Sequence, residues 1–255
     1  MDLTLEMFLI VCPLVFLAGL VDSIAGGGGL ISLPAYILAG LPTHHAIGTN
    51  KLSSAVGMTV SVSRFCKNKF VDWGVAVPSI LLSLAGSTLG AQLSLHLSER
   101  IMKHVLMIVL PIVAYYVLRS RSLKEDTSEI SVTRKRVYAI ACLASFFFGA
   151  YDGFYGPGTG SFLILIYTGL ARMDIMKAAG NTKLVNLASN VAALATYLTG
   201  GKVVILLGAA AALFSIAGNY VGSGLAINNG HKVIRPIILV VLSLLFLKVL
   251  ADLYH

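Results

Sequence analysis

Apolar residues fill this chain in long runs separated by short polar breaks, and the runs reach membrane-spanning length. Segments 73–95, 184–201 and 203–230 hold 23, 18 and 28 residues without a single Asp, Glu, Lys or Arg, against the ~20 that a transmembrane helix needs. The pattern predicts helices at about 3–22, 29–40, 46–64, 73–95 and 101–118, then again at about 137–151, 160–170, 176–198, 203–226 and 232–252, with the polar stretch RSRSLKEDTSEISVTRKR at 119–136 as a loop. Two of these pieces are short. A helix of ~11 residues rises only ~17 Å, about half of a ~30 Å hydrocarbon core, and each short piece follows a Gly-rich interruption, AGGGGL or GPGTGS. They read as half-helices.

The halves of the chain repeat. GTNKL at 48–52 matches GNTKL at 180–184, and the same offset of 132 aligns LLSLAGSTLGAQL (81–93) with LFSIAGNYVGSGL (213–225), six identities in thirteen. An offset of 130 superposes Asp22, Gly26 and Gly28 on Asp152, Gly156 and Gly158. The fold class expected is therefore an all-α polytopic membrane protein of two homologous repeats, each with a broken or re-entrant helix pair at its Gly-rich segment plus three transmembrane helices. The first repeat covers 1–118, the basic loop 119–136 and the second repeat 137–255, together one transmembrane domain. If each broken pair returns to the side it came from, a repeat crosses three times and the two repeats are inverted. The bases then divide thirteen to four with the N-terminus outside, against eleven to six for parallel repeats with the N-terminus inside, and the positive-inside bias favours inversion. Either topology puts loops 64–72 and 96–103 on opposite sides.

Composition agrees with the pattern. The chain has 255 residues, 57% of them hydrophobic and 12% charged, where a soluble domain carries roughly 25% charged residues. The net charge of +8 does not point to nucleic acid, because Lys and Arg gather in short loops between apolar runs, as membrane orientation requires. The start, MDLTLEMFLIVCPLVF, carries acids where a secretory leader carries bases, and it reads as retained. Cys12, Cys66 and Cys142 are odd in number and widely spaced, which suits small core residues better than a disulfide framework or a metal site. His44 and His45 are adjacent, point apart on a helix, and read as a loop end.

Four charges stay deep in apolar sequence: Asp22, Lys51, Asp152 and Lys183. Charge inside a span is costly and by default marks a polar cavity or a partner; the plainer alternative is that each Asp caps a half-helix or pairs with a Lys to pin two helices. Asn50, Ser54, Gly57 and Ser61 align with Lys51 on a polar stripe, and Thr182, Asn186, Ser189 and Ala193 are their repeat mates. Part of each stripe serves close packing, but Asn50, Lys51, Asn186 and Asn190 are bulkier than packing requires. The Gly-rich breaks present backbone N–H groups at the positive start of a half-helix, where anions bind, and paired breaks in transporters mark a midplane substrate site. The substrate-binding set expected is Gly26, Gly27, Gly28, Gly29, Asn50, Lys51 and Ser54 with Gly156, Gly158, Thr159, Gly160, Asn181, Lys183 and Asn186. Asp22 and Asp152 are proton carriers, counter-ions or caps. AGGGGL lacks the GxxxxGK[ST] form of a nucleotide loop, and no metal or other cofactor is indicated.

DSIAGGGGLISLPAYILAGLPTHHAIGTNKL in the first half, with DGFYGPGTGSF and KAAGNTKLVNLASN in the second, resembles the sulfite exporter TauE/SafE family, also called the toluene sulfonate uptake permease superfamily, nearly end to end. The resemblance implies a duplicated inner-membrane permease for sulfite, sulfonates or other small sulfur-containing anions, driven by an ion gradient, with the lipid bilayer as surroundings and export or uptake both open. A homo-oligomer is left open as well. An anion channel or a carrier of another organic anion is the alternative. An intramembrane enzyme would need a nucleophile with its base or a metal cluster inside a span, and a scaffold would have no use for paired buried charges.

Overall fold

A computed structural model describes residues 3–98, 101 and 132–254, and among these every regular element is a helix. The elements are α1 (Leu5–Ala25), α2 (Gly29–Leu38), α3 (Thr43–Lys67), α4 (Trp73–His96), α5 (Arg134–Phe154), α6 (Thr159–Gly169), α7 (Ile175–Thr199), α8 (Ile205–Asn229) and α9 (His231–Tyr254). The helix expected at 101–118 falls, beyond Ile101, outside the described residues, as does most of the loop at 119–136. Several ends differ from expectation by up to three residues, and three of them change the reading. Helix α1 runs one turn past Asp22 before Gly26 takes the left-handed conformation at φ 78° and donates its N–H to the Asp22 carbonyl at 2.7 Å. Helix α3 begins at Thr43, behind Pro42, so His44 and His45 belong to its first turn rather than to a loop. Helix α5 begins at Arg134, inside the polar stretch read as loop.

Capping explains two starts. Asp72 accepts the Gly74 N–H at 3.1 Å ahead of α4, and Asp174 accepts the N–H groups of Met176 and Lys177 at 2.9 and 3.3 Å ahead of α7. Each carboxylate satisfies an orphan donor at a positive helix end.

The short helices double back. Gly28 packs on Ala18 and Asp22, and Ser32 shares a small cavity with Val15, so α2 returns along α1. Helix α6 returns along α5, with the Phe162 ring 5.6 Å from Phe148 and 6.0 Å from Tyr151.

Helices α1, α4, α5 and α8 are each long and apolar enough to cross a membrane. Leu9, Leu81, Phe147 and Leu213 are 63–68% exposed, which in a chain of this kind turns them to lipid. This is a multi-pass membrane protein. Between helices the contacts are glycine against main chain. Gly86 and Gly90 of α4 meet the carbonyls of Phe146 and Ala150 in α5, and Gly218 and Gly222 of α8 meet those of Phe16 and Leu20 in α1. Small residues four apart let membrane helices approach closely. These contacts map onto each other at the offsets of 132 and 130 seen in the sequence. They also give directions: α1 runs with α8 and α4 runs with α5. Ser83 and Ser87 of α4 donate to the Val185 and Ser189 carbonyls at 2.9 and 2.6 Å, so α7 runs with α4. Helix α3 runs against α7, since Gly48 faces Tyr197 while Met58 faces Asn190.

Candidate functional site

The sequence folds so that both Gly-rich breaks meet inside the protein. Gly26 and Gly160 touch backbone to backbone, and a β-carbon on either would strike the other's Cα. Ser161 seals the junction, donating its N–H to the Gly26 carbonyl at 3.3 Å and its hydroxyl to the Ala25 carbonyl at 2.7 Å.

Beside this junction lies a polar cavity of 20 Å³, room for about one water molecule. Asp22 and Gly26 line it from the end of α1, Gly29 from α2, and Asn50, Lys51, Ser54 and Met58 from α3. Asp152 and Gly156 close it from the second break, with Asn186 and Asn190 from α7. Nine of the residues expected at a site or as its counter-charges therefore come together here. Met58 and Asn190 join them. Asn190 lies one turn beyond Asn186, and Met58 two turns beyond Lys51; its apolar side chain gives Met58 no mark in a polar stripe.

The charges are arranged by exchange between halves. Lys51 of the first half reaches Asp152 of the second, Nζ to Oδ2 at 2.8 Å, and Ser189 donates its hydroxyl to the same oxygen at 2.7 Å. Lys183 of the second half reaches Asp22 of the first, but its Nζ donates to the main-chain carbonyl. The Asp22 carboxylate accepts the Gly28 N–H at 3.2 Å instead, one turn beyond its own helix. The two lysines are 1% and 0% exposed and Asp152 is 3% exposed. Buried this far, an ion pair gains little net stability, yet removing one partner strands the other charge at a cost of about 3–5 kcal/mol. Gly156 makes room for the pair. A β-carbon there would lie 2.8 Å from Asp152 Oδ1 and 3.0 Å from Lys51 Nζ, and its φ of 103° suits glycine alone.

Other expected site residues stand off the cavity. Gly27 packs on Val241 of α9, and Gly28 on Ala18. Gly158 faces Phe162, Thr159 returns its hydroxyl to the Gly156 carbonyl at 2.7 Å, and Gly160 meets Gly26. Asn181 donates to the Lys177 carbonyl at 2.7 Å. Along the α3 stripe, Gly57 packs on Ser215 and Ser61 bonds back to the Met58 carbonyl; neither lines the cavity, which Asn50 and Ser54 face beside Lys51. The N–H groups of Gly28 and Ser161, which the break pattern offered to an anion, are occupied by Asp22 and Gly26.

The cavity wall thus joins one lysine–aspartate pair to the neutral polar side chains of Asn50, Ser54, Asn186 and Asn190. Comparison with known proteins points to membrane transport. The chain is 34% identical over 255 residues to the "Probable membrane transporter protein ORF9" of a Sinorhizobium species, covering 100% of this chain and 96% of that protein. It is 34% identical over 238 residues to the "Probable membrane transporter protein YfcA" of Escherichia coli, covering 92% and 87%. It is 32% identical over 253 residues to a "Probable membrane transporter protein" of Haemophilus influenzae, covering 99% and 98%. No solved structure matches the chain. The sequence profile described as Sulfite exporter TauE/SafE matches residues 11–249, and the chain belongs to that family of membrane transporters.

Proposed function

We propose that the chain is a secondary transporter for small sulfur-containing anions, sulfite or organosulfonates, binding them at the membrane midplane between two inverted repeats of the inner membrane and driven by an ion gradient. The observation that carries this reading is the Lys51–Asp152 pair on the wall of a small polar cavity, where both helix breaks converge. An anion reaches Lys51 by taking the place of the Asp152 carboxylate, so binding changes the charge pairing of the whole site. Asn50, Asn186, Asn190 and Ser54 supply neutral polar groups around it. Sulfur oxyanions are favoured by the description of the family.

Inversion is supported by chain direction. Helices α1, α3 and α8 run one way and α4, α5 and α7 the other, so the first helix of one half opposes the first helix of the other. The repeats are 1–118 and 137–255. A cavity of 20 Å³ holds about one water and no sulfonate, and a site that must open to load favours alternating access over a standing channel.

Counterflow in proteoliposomes tests the reading. Vesicles preloaded with sulfite or methanesulfonate are expected to draw in the radiolabelled anion, and Lys51→Ala is expected to lose this exchange while eluting as a folded protein on gel filtration. Normal exchange by Lys51→Ala would remove Lys51 from the site, and flux without counterflow would make the protein a channel.

A further inference from the structure

The two halves treat their aspartates differently. Asp152 has Lys51 on its carboxylate, whereas Lys183 goes to the carbonyl of Asp22 and leaves that carboxylate facing elsewhere. Next to it is a second cavity of 10 Å³, which Asp22 lines together with Ser32, Ser54, Ser215 and Asn219. About one water-sized species fits there.

Three of the polar side chains around this space, Asn219, Ser32 and Ser54, already donate to neighbouring oxygens. Asn219 is 1% exposed; its Nδ2 donates to the Ser215 carbonyl at 3.0 Å, which fixes the amide orientation, and its Oδ1 is buried with no hydrogen-bond partner. Ser32 donates its hydroxyl to the Gly28 carbonyl at 3.2 Å and Ser54 donates to Asn50 Oδ1 at 3.3 Å. What these side chains have left to offer is lone pairs. Val15, Ala18, Gly19 and Gly28 complete the lining; the oxygen-bearing side chains among its residues, one carboxylate, one amide and three hydroxyls, are of the type that holds a hard cation. Asp22 is the one carboxylate in the lining, too little negative charge for a divalent ion. The repeat-related space lacks this character: Phe162 stands at the position of Ser32, Ser87 at that of Asn219, and Asp152 is held by Lys51.

We infer that this cavity is a monovalent cation site, sized for Na⁺, and that Na⁺ bound there is the ion coupled to anion transport; the coupling half of the inference rests on the function proposed above. Asp22 and Ser54 line both cavities, so a cation that draws in these two side chains reshapes the wall of the anion cavity. Charge balance asks for the same partner. The formal charges of Asp22, Lys51, Asp152 and Lys183 cancel, so a monoanion alone leaves one unit of negative charge in a low-dielectric interior, and Na⁺ entering with it restores neutrality.

The first measurement needs no variant. Thermal unfolding of the detergent-solubilised protein is followed in NaCl, KCl and choline chloride at equal ionic strength without an anionic substrate. NaCl is expected to raise Tm saturably by mass action, and KCl and choline chloride are not. Asn219→Ala, which lies off the anion cavity, is expected to need about tenfold more Na⁺ for the same rise. Equal Tm in all three salts, or an unchanged Na⁺ dependence in Asn219→Ala, overturns the site; a cavity holding only water gives the first of these results. The second measurement is methanesulfonate uptake into proteoliposomes under an imposed Na⁺ gradient or an imposed pH gradient. Accumulation driven by Na⁺ supports the coupling. Accumulation driven by pH and blind to Na⁺ overturns it while leaving the transporter intact, and Na⁺ stabilisation with no anion flux under either gradient sinks the proposed function but not the cation site.

Discussion

Gly156 shows how one missing β-carbon holds a site open. Its space is taken by Asp152 Oδ1 and Lys51 Nζ, and its φ lies in the left-handed region. Gly156→Ala is expected to destabilise the protein by about 1–3 kcal/mol through backbone strain and to abolish the thermal shift produced by methanesulfonate, because the added carbon pushes the ion pair apart. A variant that keeps both its wild-type Tm and its substrate shift would refute this account. At the same scale, charge in apolar sequence made Lys51, Lys183 and both aspartates legible before any coordinates. Their division of labour was not legible. Lys51 and Lys183 occupy matching motifs, GTNKL and GNTKL, yet one meets a carboxylate and the other a carbonyl. Sequence symmetry constrains which residues face inward and says little about which atom each one reaches. Met58 escaped notice because a thioether carries no polar signature, although Asn190 Nδ2 lies 3.8 Å from its sulfur.

Among the elements, the pairs α4 with α5 and α1 with α8 depend on helices approaching to main-chain distance. At Gly90 and Gly222 a β-carbon would press on the carbonyls of Ala150 and Leu20. Gly90→Val and Gly222→Val should each cost at least the roughly 1–3 kcal/mol of an overpacked core, read as a lower Tm, whereas Gly40→Ala, where nothing lies within 4 Å, has only its positive φ to oppose it and should cost less. Equal losses at all three positions would mean that helix approach is not the limiting factor. The repeat offset exposed these glycines as matching pairs, and hydrophobic run length located every described helix. Helix ends were harder to read. Arg134, Lys135 and Arg136 looked like loop because they are charged, but Arg and Lys are good helix formers, and α5 starts among them. Asp22 looked like a terminus because the glycines follow closely, yet Ser23, Ile24 and Ala25 complete another turn.

For the whole molecule the open quantity is orientation across the bilayer. Opposed chain directions in the two halves predict that the starts of α1 and α5 face opposite compartments. With Cys12, Cys66 and Cys142 replaced, Thr4→Cys and Thr133→Cys are expected to react with an impermeant maleimide from opposite sides of intact cells and inverted vesicles. Labelling of both from one side would make the repeats parallel. The positive-inside bias supplied a preference here and no more, because lysine and arginine counts record which loops stay inside without recording which helices touch.

The meeting of Gly26 and Gly160 has a mechanical consequence. Each glycine is the tip of a hairpin belonging to a different half, and Ser161 ties the tips by two hydrogen bonds. With no side chain between them, the two tips meet at main-chain distance. A carrier that serves two compartments has to shut one door as it opens the other, and machines usually achieve this with a linkage. Under the alternating access proposed above, the contact of Gly26 with Gly160 would couple the two gates.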